Sequence, residues 1–228
     1  MSKNKKGKPN KNNKGKIAFS DYPNFRPNLT PREILKLGSF GGTYWRPIHS
    51  KVTNKDYKNV HKKYDKWWKG IPDDHMTLDW KDYDKDVNKY GVKVGQTLEK
   101  WEKKGWITKY NPYGWYHWYC DFYNGRRTPD DERQIGRWEG IAGPNGRFRK
   151  WLISLILKKK GGKYDDETIS PKIRQTLQHW GYVLTKKDFE EEKKDRKNKK
   201  GGSSPMQKLY YQNKDDYLRL RAIIDDEY

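Results

Sequence analysis

Only one cysteine occurs among the 228 residues, and no two cysteines or histidines stand at the short spacing of a complete zinc module. A lone thiol excludes an internal disulfide framework and points to a reducing compartment. Hydrophobic residues make up 32% of the chain, and no stretch approaches the roughly 20 apolar residues that span a bilayer. The N-terminal lysines are followed by no apolar run, so the chain does not begin like a secretory signal. These absences predict an intracellular protein with no membrane partner.

What the chain does have is charge and rings. Charged residues reach 36% and aromatics 15%, with 11 Trp and 17 Tyr, which implies a small core built from large side chains. The net charge is +21. Residues 1–16 hold seven lysines and no acid, residues 17–157 contribute +9, and residues 158–228 contribute +5. The first of these runs is low-complexity Lys/Asn/Gly that cannot bury enough apolar surface to offset its ordering entropy, so residues 1–19 are predicted to be a disordered basic tail.

Helix punctuation then divides the chain. Thr30-Pro31-Arg32-Glu33 is a capping box with proline at the first helical position. The glycine-rich stretch Gly38–Thr43 that follows lacks the Gly-Lys-Ser/Thr of a phosphate loop and reads instead as a tight turn against an aromatic neighbour. A short helix is possible over 55–68, and Trp80, Tyr83, Val87 and Tyr90 fall on one face of a predicted helix over 78–90. Thr97 caps another helix that ends at Gly105. In 115–123, Trp115, Trp118, Tyr119 and Phe122 follow helical spacing, and only a helix segregates Asp121 and Asn124 from the rings. Thr128-Pro129 starts the next, and Phe148, Trp151, Leu152, Leu155 and Ile156 mark the cleanest amphipathic helix, over 147–157. Ser170-Pro171 starts one more.

The predicted fold is therefore mainly α. A compact bundle of six to eight short helices with long loops spans residues 20–185, followed by a charged linker at 186–205 and a C-terminal helix at 206–228. The densest stretch is 105–138, with four tryptophans, five tyrosines, four arginines and the cysteine in thirty-four residues.

The runs FRPNLTPREILKLGSFGG from Phe25, Tyr44–Ile48, GWYHWYCDF from Gly114, Gly125-Arg126-Arg127, Asp130–Ile135 and Arg137-Trp138 resemble an uncharacterised family of large DNA viruses, fungi and algae. The resemblance covers roughly 22–184. It implies one domain with added tails but no activity and no functional residue. The abundance of Lys, Asn and Tyr beside little Ala fits the A+T-rich coding of such a source, and the compartment it implies is a nucleus, viral factory or virion.

Candidate chemistry follows from residue types. His117 and Cys120, one helical turn apart, are half of a zinc site whose other half the sequence does not supply, or else a buried pair. Asp121, Asp130, Asp131 and Glu132 could hold Mg²⁺ for phosphodiester cleavage, though without a recognised nuclease spacing. Guanidinium groups recognise phosphate bidentately. The expected nucleic-acid-binding residues are Arg126, Arg127, Arg133, Arg137, Arg147, Arg149 and Lys150, aided by stacking on exposed Trp or Tyr. The alternatives are a bracing network of arginines and carboxylates in a virion-associated structural or protein-interaction module, and a Mg²⁺-dependent nucleic-acid enzyme; the C-terminal helix is open to docking on the domain or to a protein partner. No cofactor, metal or catalytic residue is assigned.

Overall fold

Eight consecutive buried residues, Trp115 to Phe122, form the axis of the fold. The computed structural model describes residues 7–11 and 17–198. In chain order these contain strands β1 (Asn10–Lys11) and β2 (Ile17–Ala18), helix α1 (Pro31–Lys36), strands β3 (Ile48–Ser50) and β4 (Lys55–Tyr57), and helices α2 (Asp65–Trp68), α3 (Asp74–Thr77), α4 (Leu98–Lys103), α5 (Trp115–Tyr123), α6 (Asp131–Ile141), α7 (Arg147–Lys158), α8 (Pro171–His179) and α9 (Lys186–Asn198). Both strand pairs are short antiparallel ribbons, with β3 and β4 matched Ile48 to Tyr57 and Ser50 to Lys55. The fold is mainly α. No described helix is long and apolar enough to cross a membrane.

The central helix α5 is ringed on both sides. Phe25 packs against Trp115, Trp118, Tyr119, Phe122 and Trp138, with centroids 5.1–6.4 Å apart. On another side Tyr116 meets Phe40, Tyr44 and Trp45. Phenol groups buried this deeply need partners, and carbonyls of the loops and of the first residue of α1 provide them. Tyr116 Oη donates to Pro31 O (2.7 Å), Tyr119 Oη to Leu29 O (2.8 Å), Tyr44 Oη to Tyr113 O (2.7 Å) and Tyr113 Oη to Arg46 O (2.8 Å). The tyrosines thus do two jobs, filling the core and pinning irregular chain that has little ladder of its own.

The capping box of α1 forms as its sequence requires. Glu33 N donates to Thr30 Oγ1 (3.2 Å), and Thr30 N donates to Glu33 Oε2 (2.7 Å). Thr30→Ala removes one of these bonds and is expected to lower stability by about 1 kcal/mol in urea denaturation, with unchanged near-ultraviolet circular dichroism. The glycine turn after α1 packs on the segment 83–88. A Cβ on Gly38, where φ is +65°, would stand 1.8 Å from Val87 O, and one on Gly41 2.5 Å from the Tyr83 ring.

Several expectations are corrected. The stretch 78–90 is not a helix but a 3₁₀ turn at Trp80–Asp82 followed by irregular chain. Its Asp and Asn side chains capture local backbone: Asp79 accepts from Lys81 N, Asp84 from Asp86 N, and Asn88 from Tyr90 N and Val92 N. That competition with helical bonds overrides the aromatic spacing. The possible helix over 55–68 is strand β4, a 3₁₀ turn at Val60–Tyr64 and the single turn α2. Helix α6 begins at Asp131, not after Thr128, although the Asp131 carboxylate reaches back to Thr128 N (3.0 Å).

The ordered body also outruns its predicted limits. Ile17 and Phe19 are buried, with Phe19 stacked on Phe25, so the core takes in part of the expected tail. Over Lys186–Asn198 the expected linker is a helix, anchored by buried Phe189. The predicted C-terminal helix at 206–228 lies outside the described residues.

Candidate ring and anion pocket

The guanidinium groups singled out by the sequence are all engaged within the protein. Arg127 Nε meets Asp21 Oδ2 (2.6 Å), and its guanidinium carbon lies 3.6 Å from the Phe122 ring centre. Arg133 forms a two-pronged pair with Asp130, at 2.6 and 3.0 Å. Arg149 pairs with Asp188 (3.0 Å) and Lys150 with Glu192 (3.6 Å), both acids on α9. Arg126 bonds Asp121 and the Tyr110 carbonyl. The seven residues are thus not one free cluster. Arg126, Arg127, Arg133, Arg149 and Lys150 are ion-paired among the described residues, as in the bracing network that the sequence allowed.

Asp121 is the hub of that bracing. Instead of facing away from the rings it is buried among them, where it accepts from Lys63 Nζ (2.5 Å), Tyr64 Oη (2.6 Å), Asn111 Nδ2 (3.1 Å) and Arg126. Burial pushes its carboxyl group up, but the Lys63 and Tyr64 hydrogen bonds and the neighbouring charge outweigh that and hold it below the usual carboxylate range. Asp130 accepts from Arg133 and Gln134, and Asp131 accepts from Trp118 Nε1 (2.8 Å) and Thr128. Among the described residues no three His, Cys, Asp or Glu side chains are grouped to hold a metal. His117 is buried with Nδ1 unpartnered and Nε2 3.8 Å from Asp121, and burial lowers it to about 4. Burial drives the Cys120 thiol well up, which suppresses the thiolate needed for nucleophilic chemistry.

The remaining two arginines come together at a cavity of about 370 Å³. Its walls include the indoles of Trp101, Trp106, Trp115 and Trp180 with Phe40 and Phe148, and its cations are Arg137, Arg147 and Lys172. Among the described residues no aspartate or glutamate lines it. Arg137, on α6, lies 5.5 Å from the Trp106 ring centre and 5.2 Å from that of Trp180, and donates to Gln134 Oε1 (3.0 Å). It has no carboxylate within ion-pair distance among the described residues. Burial, then the like charge of Arg133, lower Arg137 to about 10, which leaves it protonated at neutral pH.

Helix geometry assembles these groups. The first turns of α7 and α8 provide Arg147 with Phe148 and Lys172, and neither turn contains an acid or is closed by a side-chain cap. Helix starts carry partial positive charge, so they add to the field of the cations. His179 at the end of α8 lines the same space. Its Nε2 bonds the Ser39 carbonyl, and burial lowers the ring to about 4, so it is a neutral wall.

Of the seven predicted residues the pocket unites Arg137 and Arg147, and it adds Lys172, Trp101, Trp106 and Trp180, which the sequence reading did not assign to binding. A readable signal did exist: Gly136 and Gly140, four apart inside the helical sequence DERQIGRWEGI, both line the cavity. No family model matches this chain, and no curated protein or solved structure matches it.

Proposed function

We propose that this protein binds nucleic acid, with base stacking and phosphate contact concentrated at the pocket and with the lysine-rich N-terminal residues adding nonspecific attraction. The observation that carries this reading is the meeting of four indoles with Arg137, Arg147 and Lys172 in a cavity that no carboxylate lines among the described residues. Bases stack on aromatic faces regardless of sequence, and cations neutralise phosphate with release of counterions. A net charge of +21 favours a polyanionic partner over a neutral one.

The expected result is tryptophan quenching by a mixed-sequence single strand, with affinity falling steeply as salt rises. For single strands the slope of log K against log salt is about −0.7 per neutralised phosphate. Arg137→Met, which keeps the apolar stem between the indoles, should make that slope shallower by about 0.7. A further variant replaces the seven lysines of residues 1–16 with glutamine. If that change alone removes all affinity, the folded body is not the binder.

A second reading rests on a different observation. Five of the seven predicted phosphate-contacting side chains are tied to carboxylates, and Trp45, Trp118 and Trp138 are fully buried. Those features suit a braced structural or protein-interaction module. Salt-insensitive failure to bind any oligonucleotide would favour it.

A further inference from the structure

Four glycines lie in or next to α6, and they divide into two kinds. A Cβ on Gly143 would meet the Glu139 backbone at 2.7 Å, and one on Gly146 would meet Ile141 O at 2.4 Å, so packing excludes a side chain at both. At Gly136 and Gly140 a Cβ would meet nothing within 4 Å. Both are ordinary helical positions, where glycine is less favourable than alanine. Neither backbone strain nor crowding among the described residues therefore accounts for them. What they share is the cavity, which both line from exposed positions at four-residue spacing on α6.

We propose that this cavity takes one unpaired nucleotide, its base lying along the Gly136 and Gly140 face of α6 against the indole walls and its phosphate among Arg137, Arg147 and Lys172. The inference rests on the nucleic-acid reading and narrows it to one kind of target. A space of about 370 Å³ suits a single small ligand, not a base pair. Within a duplex both faces of a base are covered by its neighbours, so a base can reach these walls only from a single strand, a terminus or an extruded position. The shared chemistry is a heteroaromatic ring joined to phosphate, whether it comes from a strand end or from within a strand.

The test uses the full chain with four 5′-mononucleotides, a single-stranded 12-mer with and without a 5′-phosphate, and the corresponding duplex. Gly140→Leu and Gly136→Leu fill the cavity from its α6 side while raising helix propensity. Each is expected to weaken single-strand binding at least tenfold, to leave duplex binding within twofold, and to keep a melting temperature no lower than that of the parent. Single-strand affinity within twofold of the parent, in leucine variants with unchanged circular dichroism, overturns the proposal.

The unmodified protein supplies an arm independent of variant folding. Mononucleotides should quench its tryptophan emission and displace the 12-mer, and no quenching at millimolar concentration overturns the proposal. Tighter binding of the phosphorylated 12-mer assigns the occupant to a strand end; equal binding, lost in the leucine variants, assigns it to an internal nucleotide. If the parent binds no oligonucleotide the broader reading falls, and mononucleotide quenching alone then decides the pocket.

Discussion

Acidification from pH 7 to pH 4 is expected to remove several kcal/mol of stability before the buried Asp121 and Asp130 carboxylates titrate. His117 is 6% exposed, and burial holds its imidazole near 4 against an ordinary value of 6.5. Between these two values the unfolded chain binds a proton that the folded chain refuses. The folding free energy therefore weakens as pH falls from 6.5 and stops weakening from this source below about 4. The gap between these two values corresponds to roughly 3 kcal/mol. His179 is lowered to about 4 in the same way and adds in the same direction, with an edge at the cavity that moderates its share. Asp121 and Asp130 are held below the usual carboxylate range by their hydrogen bonds, so the stability they contribute is lost only at still lower pH. Urea midpoints at pH 7, 6, 5 and 4 would trace the histidine window. His117→Phe keeps the ring contacts with Trp45 and Tyr113, 5.3 and 5.7 Å away, and removes no short hydrogen bond from the side chain. It should flatten the pH dependence by about one proton, and a profile identical to that of the parent would refute the assignment.

How much of this could be read from the sequence depended on which force was local. The α1 cap formed from Thr30 and Glu33 because four neighbouring residues contain the whole interaction. Helices α5 and α7 followed their ring and aliphatic spacing because those faces do meet a core. The stretch 78–90 had equally regular rings, but its Asp and Asn side chains captured nearby backbone groups and produced turns. Asp121 illustrates a second limit. Helical spacing set it apart from the rings, and only the tertiary arrival of Lys63, from a segment 58 residues earlier, makes its burial tolerable. Helix α9 is the same case: its charge read as a linker, yet Asp188 and Glu192 cover Arg149 and Lys150. The pocket was half legible. Arg137 and Arg147 were singled out as cations, while Lys172 and Trp180 reach it only because α8 packs along α7.

Asp121→Ala is expected to destabilise the fold by about 3 kcal/mol, and the reasons bear on binding as well as on stability. The carboxylate is 2% exposed and gathers a lysine, a tyrosine, an asparagine and an arginine. Removing one partner of a buried ion pair typically costs about 3–5 kcal/mol, because the groups left behind keep their desolvation without their charge partner. Lys63 and Arg126 are half and about one-third exposed, so water recovers part of the loss and the lower end of that range applies. Tyr64 Oη and Asn111 Nδ2, both enclosed, recover little. Asp121→Asn, which preserves shape and some acceptor capacity, should lose less than the alanine variant. A double-mutant cycle with Arg126→Ala then isolates the ion pair, and a coupling energy near zero would sink the claim that Arg126 serves the brace. The same variants separate structure from recognition. A brace predicts that Asp121→Ala, measured below its melting transition, binds a single strand no more weakly than the parent, since it frees Lys63 and Arg126 for phosphate.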